Sequence, residues 1–184
     1  MNAVPSRFAL SRLVGLAGSM ALACGLLLAP AGAPAHAQGL LDVQCEGTFT
    51  SEYTPVLTNR PQDVSIANQN SYATCEAGLP GTSATTSAEP GETCVNLLHA
   101  LAPFDETITW SGQSTSVVHW TSVEDTGGAA TFTGTVTAGR YTGDTAEKIL
   151  EATDITGTNP ELCPLGDGTI SGASGLVTLT LTSL

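Results

Sequence analysis

The sequence predicts an all-β fold, an antiparallel barrel or sandwich of about eight strands carrying two disulfides. Three observations lead there. The region after residue 37 is rich in Thr, Ser, Gly and Val and lacks helical periodicity. Thr and Val have stiff, branched Cβ atoms that pack well on a pleated, half-buried surface. Apolar residues alternate with Thr at period two, and turn residues recur about every ten positions, the spacing of short strands in a sandwich or barrel.

The elements follow in order. Gln44 to Tyr53 places Cys45, Gly47, Phe49 and Tyr53 on one side of a first strand. A loop at Thr58-Asn59-Arg60-Pro61 precedes a second strand, Val64 to Cys75, and a third is expected within Thr82 to Leu97, interrupted by Glu89-Pro90-Gly91. Leu97, Leu98 and Leu101 cluster closely enough for one helical turn within Asn96 to Phe104. Thr107–Trp110 and Thr115–Thr121 flank Ser111-Gly112-Gln113-Ser114, a hairpin turn in which Gly supplies positive φ. From Ala130 to Ala138 every even position is apolar or Gly and every odd one is Thr. Gly143-Asp144 turns into a seventh strand over 145–155, residues 156–174 read as a Pro- and Gly-rich loop, and Val177 to Thr182 alternates again.

Residues 1–37 read as a secretory signal peptide, and residues 38–184 as a single secreted domain. Arg7 and Arg12 make a positive start, Leu13 to Ala29 an apolar run closed by Pro30, and Ala35-His36-Ala37 the small-x-small cleavage pattern. Cys24 falls inside the apolar run. Beyond it remain Cys45, Cys75, Cys94 and Cys163, an even number in an exported chain, which implies two disulfides. Zinc is disfavoured, since no C-x-x-C or H-x-x-x-H spacing accompanies His99 and His119. If strand direction alternates, Cys45 and Cys75 fall at one end of the fold, and Cys94 and Cys163 at the other. Because a disulfide needs Cα atoms within about 7 Å, Cys45–Cys75 and Cys94–Cys163 are the expected pairs.

Charge narrows the partners. The chain has 17 Asp and Glu against 5 Lys and Arg, a formal net charge of −12. All the acids lie beyond residue 37, where only Arg60, Arg140 and Lys148 oppose them. With no cationic patch to displace counterions or hold anionic lipid, neither nucleic acid nor a membrane surface is an expected partner. No phosphate-loop, dinucleotide or EF-hand pattern is present, so no cofactor or metal is implied.

Cys45-Glu46-Gly47-Thr48, Tyr53-Thr54-Pro55-Val56-Leu57-Thr58, Thr107-Ile108-Thr109-Trp110, Gly134-Thr135-Val136-Thr137-Ala138-Gly139-Arg140 and the four-cysteine layout give the chain a likeness. It resembles a group of small secreted, β-rich actinobacterial proteins of unassigned function. That resemblance implies secretion and a β-fold, and carries no catalytic residue across.

Two constellations could carry chemistry. With a two-residue turn at Gly112-Gln113, Glu106 faces His119 across the hairpin, on the face of Ile108, Trp110 and Val117. A carboxylate-oriented His is a general-base arrangement and equally an ordinary cross-strand pair. The same register puts Trp110 and Trp120 on opposite faces, so that one could stack on a sugar, with Tyr53, Tyr72 or Tyr141 extending the platform. The expectation is a monomeric, non-catalytic extracellular domain that binds a ligand or protein, or serves structurally. The alternatives are a small hydrolase of glycan or ester using Glu106 and His119, and an enzyme inhibitor presenting residues 156–170.

Overall fold

A computed structural model describes residues 39–98, 103–126 and 128–183. The segment 1–37, expected to be a signal peptide, lies outside them, as do His99 and part of the stretch expected to hold a helical turn. Eight strands run along the described chain: β1 (Leu40–Leu57), β2 (Gln62–Ala77), β3 (Gly81–Glu92), β4 (Phe104–Trp110), β5 (Thr115–Asp125), β6 (Ala129–Gly139), β7 (Thr145–Thr158) and β8 (Thr169–Ser183). Each pairs antiparallel with the next, and β8 returns to β1, so the sheet closes as an up-and-down barrel rather than a sandwich.

The period-two pattern explains which face closes inward. Ala130, Phe132 and Val136 on β6 and Val177, Leu179 and Leu181 on β8 are buried. The intervening Thr133, Thr135 and Thr137 are exposed. Strands curl at β-bulges, one of them between Glu46 and Gly47. A Cβ at Gly47 would lie 1.7 Å from the Ser71 carbonyl oxygen, so only Gly permits that approach.

Two expectations on strand limits change. The third strand keeps its Glu89-Pro90-Gly91 segment but stops at Glu92. The register jumps between Gln62 and Val64 opposite it, and Gly91 sits at φ 74°, so a bulge absorbs Pro90 where no ladder bond is needed. The stretch 156–174 is mostly not a loop, because β7 and β8 stay paired as far as Thr158↔Thr169. The connection between them is a short 3-10 helix, Pro160–Leu165. The segment considered as an inhibitor loop is therefore largely strand and helix, with Leu162 and Leu165 exposed on it.

Both expected disulfides form. Cys45–Cys75 joins neighbouring strands at the end where β1 begins, and Cys94–Cys163 ties the β3–β4 connection to the 3-10 helix at the other end. They close sequence separations of 30 and 69 residues. On chain entropy, replacing Cys94 and Cys163 by Ala should cost about 4.4 kcal/mol, and replacing Cys45 and Cys75 about 3.6 kcal/mol. Urea unfolding of the two double variants checks the order, and a larger loss from the shorter loop would contradict it.

Candidate ligand-binding cavity

Glu106 on β4 points to the barrel axis and is fully buried. An isolated carboxylate could not stay ionised there, so the surrounding strands supply donors. Its Oε1 accepts from Asn70 Nδ2 and Tyr72 OH of β2, both at 3.2 Å, and from Ser83 Oγ of β3. Its Oε2 accepts from Trp120 Nε1 of β5 at 2.8 Å and from Lys148 Nζ of β7 at 2.5 Å. Burial alone would raise the Glu106 carboxyl, but the Lys148 charge and the bonds from Lys148, Ser83 and Trp120 hold it below the usual range. The Tyr72 phenol is pushed up, first by burial and then by the Glu106 charge.

Lys148 is the only lysine in the sequence and is 2 % exposed. Its ammonium lies 4.7 Å from the Phe132 ring centroid, 4.9 Å from Trp120 and 5.8 Å from Phe104, a cationic head held on aromatic faces. Phe104 and Trp120 in turn meet Phe132 edge-on.

Beside this pair the interior is open. A cavity of about 330 Å³ reaches Lys148, with Tyr53, Ile66, Phe104, Phe132 and Leu150 among its walls. The size is that of small-molecule sites. It exists because the inward positions of β3 are Ser83, Thr85 and Ser87, too small to fill the space beside Phe104. Polar groups also reach it: Ser51, Asn68 and Glu89. Asn68 Nδ2 donates to Ser51 Oγ at 2.8 Å, whereas its buried Oδ1 has no hydrogen-bond partner.

The cavity opens through the barrel wall. β3 pairs with β4 only where Gly81–Ser83 faces Trp110–Ile108. Beyond Ser83, β3 stays with β2 out to Glu92, and β4 stays with β5 down to Phe104, but the two no longer meet. Exposed Ala84 and Thr86 on one lip, and Asp105 and Thr107 on the other, line the mouth. The residues just past β3 are held on the opposite side. Cys94 N–H donates to the Thr58 carbonyl at 2.9 Å, and the disulfide to Cys163 anchors it near β8. Leu97 and Leu98 cover the adjoining barrel end, with the Tyr53 hydroxyl donating to the Leu97 carbonyl.

This geometry corrects the hairpin register. Glu106 lies opposite Val118, not His119, and His119 lies opposite Asp105. The turn takes three residues rather than two: Trp110 N–H donates to the Ser114 carbonyl, and both Gly112 and Gln113 have positive φ. Glu106 and His119 are therefore separated by the sheet itself. His119 Nδ1 instead meets Asp105 Oδ1 at 2.7 Å on the outer surface. Trp110 and Trp120 share the inner face, at 1 % and 0 % exposure, so neither offers a surface for a sugar ring. The Trp110 indole Nε1 donates to Ser116 Oγ at 2.8 Å, and its ring packs edge-on to Tyr141. Tyr53 and Tyr72 are also interior.

Lys148 and Asn68 were not singled out by sequence. The signal for Lys148 is its place between Ala146 and Leu150 at the inward phase of β7. Comparison with protein-family models, curated proteins and solved structures returns no match to this chain.

A carboxyl whose folded-state pKa is lowered adds stability above its unfolded pKa, and that stability is lost as pH falls through the folded value. Lys148→Met removes the largest influence holding Glu106 down and strands a buried carboxylate. The expected cost at pH 7 is about 3–5 kcal/mol, and the acid limb of the stability profile should move to higher pH. Urea denaturation over a pH series checks both, and an unmoved acid limb would show that the pair does not govern it.

Proposed function

We propose that this protein is an exported, non-catalytic binding domain that holds a small amphipathic molecule inside its barrel. The carrying observation is the cavity, apolar and aromatic on its walls, polar beside Lys148 and Asn68, and open between β3 and β4. Eight-stranded barrels are just wide enough to be filled by side chains or to hold one small ligand. Here the small inward residues of β3 leave that space. Export is supported by the signal-like segment, by two disulfides suited to an oxidising compartment, and by the resemblance to secreted β-rich proteins. The acidic surface favours a soluble monomer that neither nucleic acid nor anionic lipid attracts.

A neutral solvatochromic naphthalene ketone tests the reading. Saturable uptake at one site per chain, with a blue-shifted emission, is expected. At a hundred times its Kd the dye should stabilise the fold by about 2.7 kcal/mol. Thr85→Trp, which places an indole in the cavity from the β3 wall, should abolish uptake while the barrel remains folded by circular dichroism. Undiminished uptake by that variant would move the site elsewhere.

One observation favours a second reading, hydrolysis of an ester or glycan at the mouth. Asp105 both lines the opening and orients His119. His119→Ala separates the two: under hydrolysis the native protein turns substrate over and the variant loses this while dye uptake persists, and under binding alone neither protein shows turnover and uptake is unchanged.

A further inference from the structure

We infer that the ligand of the cavity is an uncharged amphipath whose polar end carries a hydroxyl group. This rests on the binding reading above and adds to it the chemical class of the occupant. The argument is one of charge and hydrogen-bond balance.

Lys148 is the one basic side chain among the described residues lining the cavity, and its charge is already matched by Glu106 at 2.5 Å. A carboxylate, sulfate or phosphate ester would therefore enter with no unpaired cation to meet it. It would also add negative charge close to Glu106 and to Glu89, which lines the same space and is 2 % exposed. Desolvating an unmatched charge in such a place is strongly unfavourable. An ammonium ligand fares no better: at the polar end it would face the Lys148 cation, and the carboxylates that line the space are already engaged, Asp105 with His119 and Glu89 with its own surroundings. Charged ligands of either sign are disfavoured, which leaves neutral ones.

Two polar atoms define what the neutral group must offer. An ammonium has three donors, and Lys148 commits one to Glu106 Oε2, so it can donate to an oxygen in the cavity it lines. Asn68 Oδ1 is a buried acceptor with no partner, on a side chain that lines the cavity and is held in place through Ser51. The site thus supplies a donor on β7 and an acceptor on β2. A hydroxyl answers both, whereas a ketone or ether answers only Lys148. The remaining walls, with Ile66, Leu150, Leu97 and the Phe104–Phe132 pair, suit a hydrocarbon or ring body.

The test is displacement of the naphthalene ketone by four chain-matched probes at pH 7: decan-1-ol, 1-methoxydecane, decanoate and decylammonium. Decan-1-ol is expected to displace at least about tenfold more tightly than either ion, and about tenfold more tightly than the ether, the weight of one buried hydrogen bond. Asn68→Leu should bring the alcohol and the ether together without restoring the ions. The comparison within the native protein needs no variant, so it stands even if Asn68→Leu fails to fold. Decanoate or decylammonium matching the alcohol would overturn the assignment of class while leaving the cavity as a binding site. An ether equal to the alcohol in the native protein would overturn the hydroxyl. If neither the dye nor any of the four binds, the cavity-binding reading itself falls and takes this inference with it.

Discussion

A single buried carboxylate is the constraint on which the barrel's interior depends. Glu106 accepts hydrogen bonds from β2, β3, β5 and β7 while standing on β4, so one side chain ties five of the eight strands. Hydrophobic burial alone leaves strand register loosely specified where both faces carry apolar groups, as at Val117 and Val118 on β5. A one-residue slip of β4 would turn Glu106 to solvent and bring Asp105 and Thr107 inward. It would leave Lys148, Trp120 and Tyr72 without their acceptor. The carboxylate thus specifies a register that apolar packing would tolerate in more than one form.

The same pair divides the interior into two unlike halves. Toward the end where β1 begins, Tyr72, Trp110 and Val136 fill the barrel, and Tyr141 packs against Trp110. Toward the other end, β3 contributes hydroxyls and a methyl where a packed core would have branched or aromatic residues. The ladder between β3 and β4 gives out over the same residues. Loss of wall bonding and loss of core volume therefore coincide, which is why the cavity communicates with the outside rather than remaining a sealed void. The Lys148–Glu106 pair at its base also keeps that half from closing as a purely apolar core.

Much of this architecture was legible in the sequence. Period-two alternation at 130–138 and 177–182 gave the right faces, and alternating strand direction gave both disulfides, because an up-and-down chain places residues at its ends by counting. The hairpin between β4 and β5 was less legible. One residue in a Gly-containing turn changes the pairing of every residue after it, and Gln113 gives no local sign that it takes positive φ. That single residue decides whether His119 meets Glu106 or Asp105, and whether Trp120 is inside. Lys148 was hidden for another reason. Its inward phase on β7 is plain, but its partner lies 42 residues away, and only the closed barrel brings them together.

Closure of a barrel removes the strand edges through which sheets join other chains, and the opening between β3 and β4 puts two of them back. Their backbone groups beyond Ser83 and Thr107 are a template for strand addition. The residues around them are those that resist it. Asp105 places an exposed carboxylate on the β4 lip, and Pro90 interrupts the donor pattern of β3. A copy of this chain approaching with the same edges would meet like charge and a missing N–H. The wall is thus left open to small molecules and guarded against its own kind.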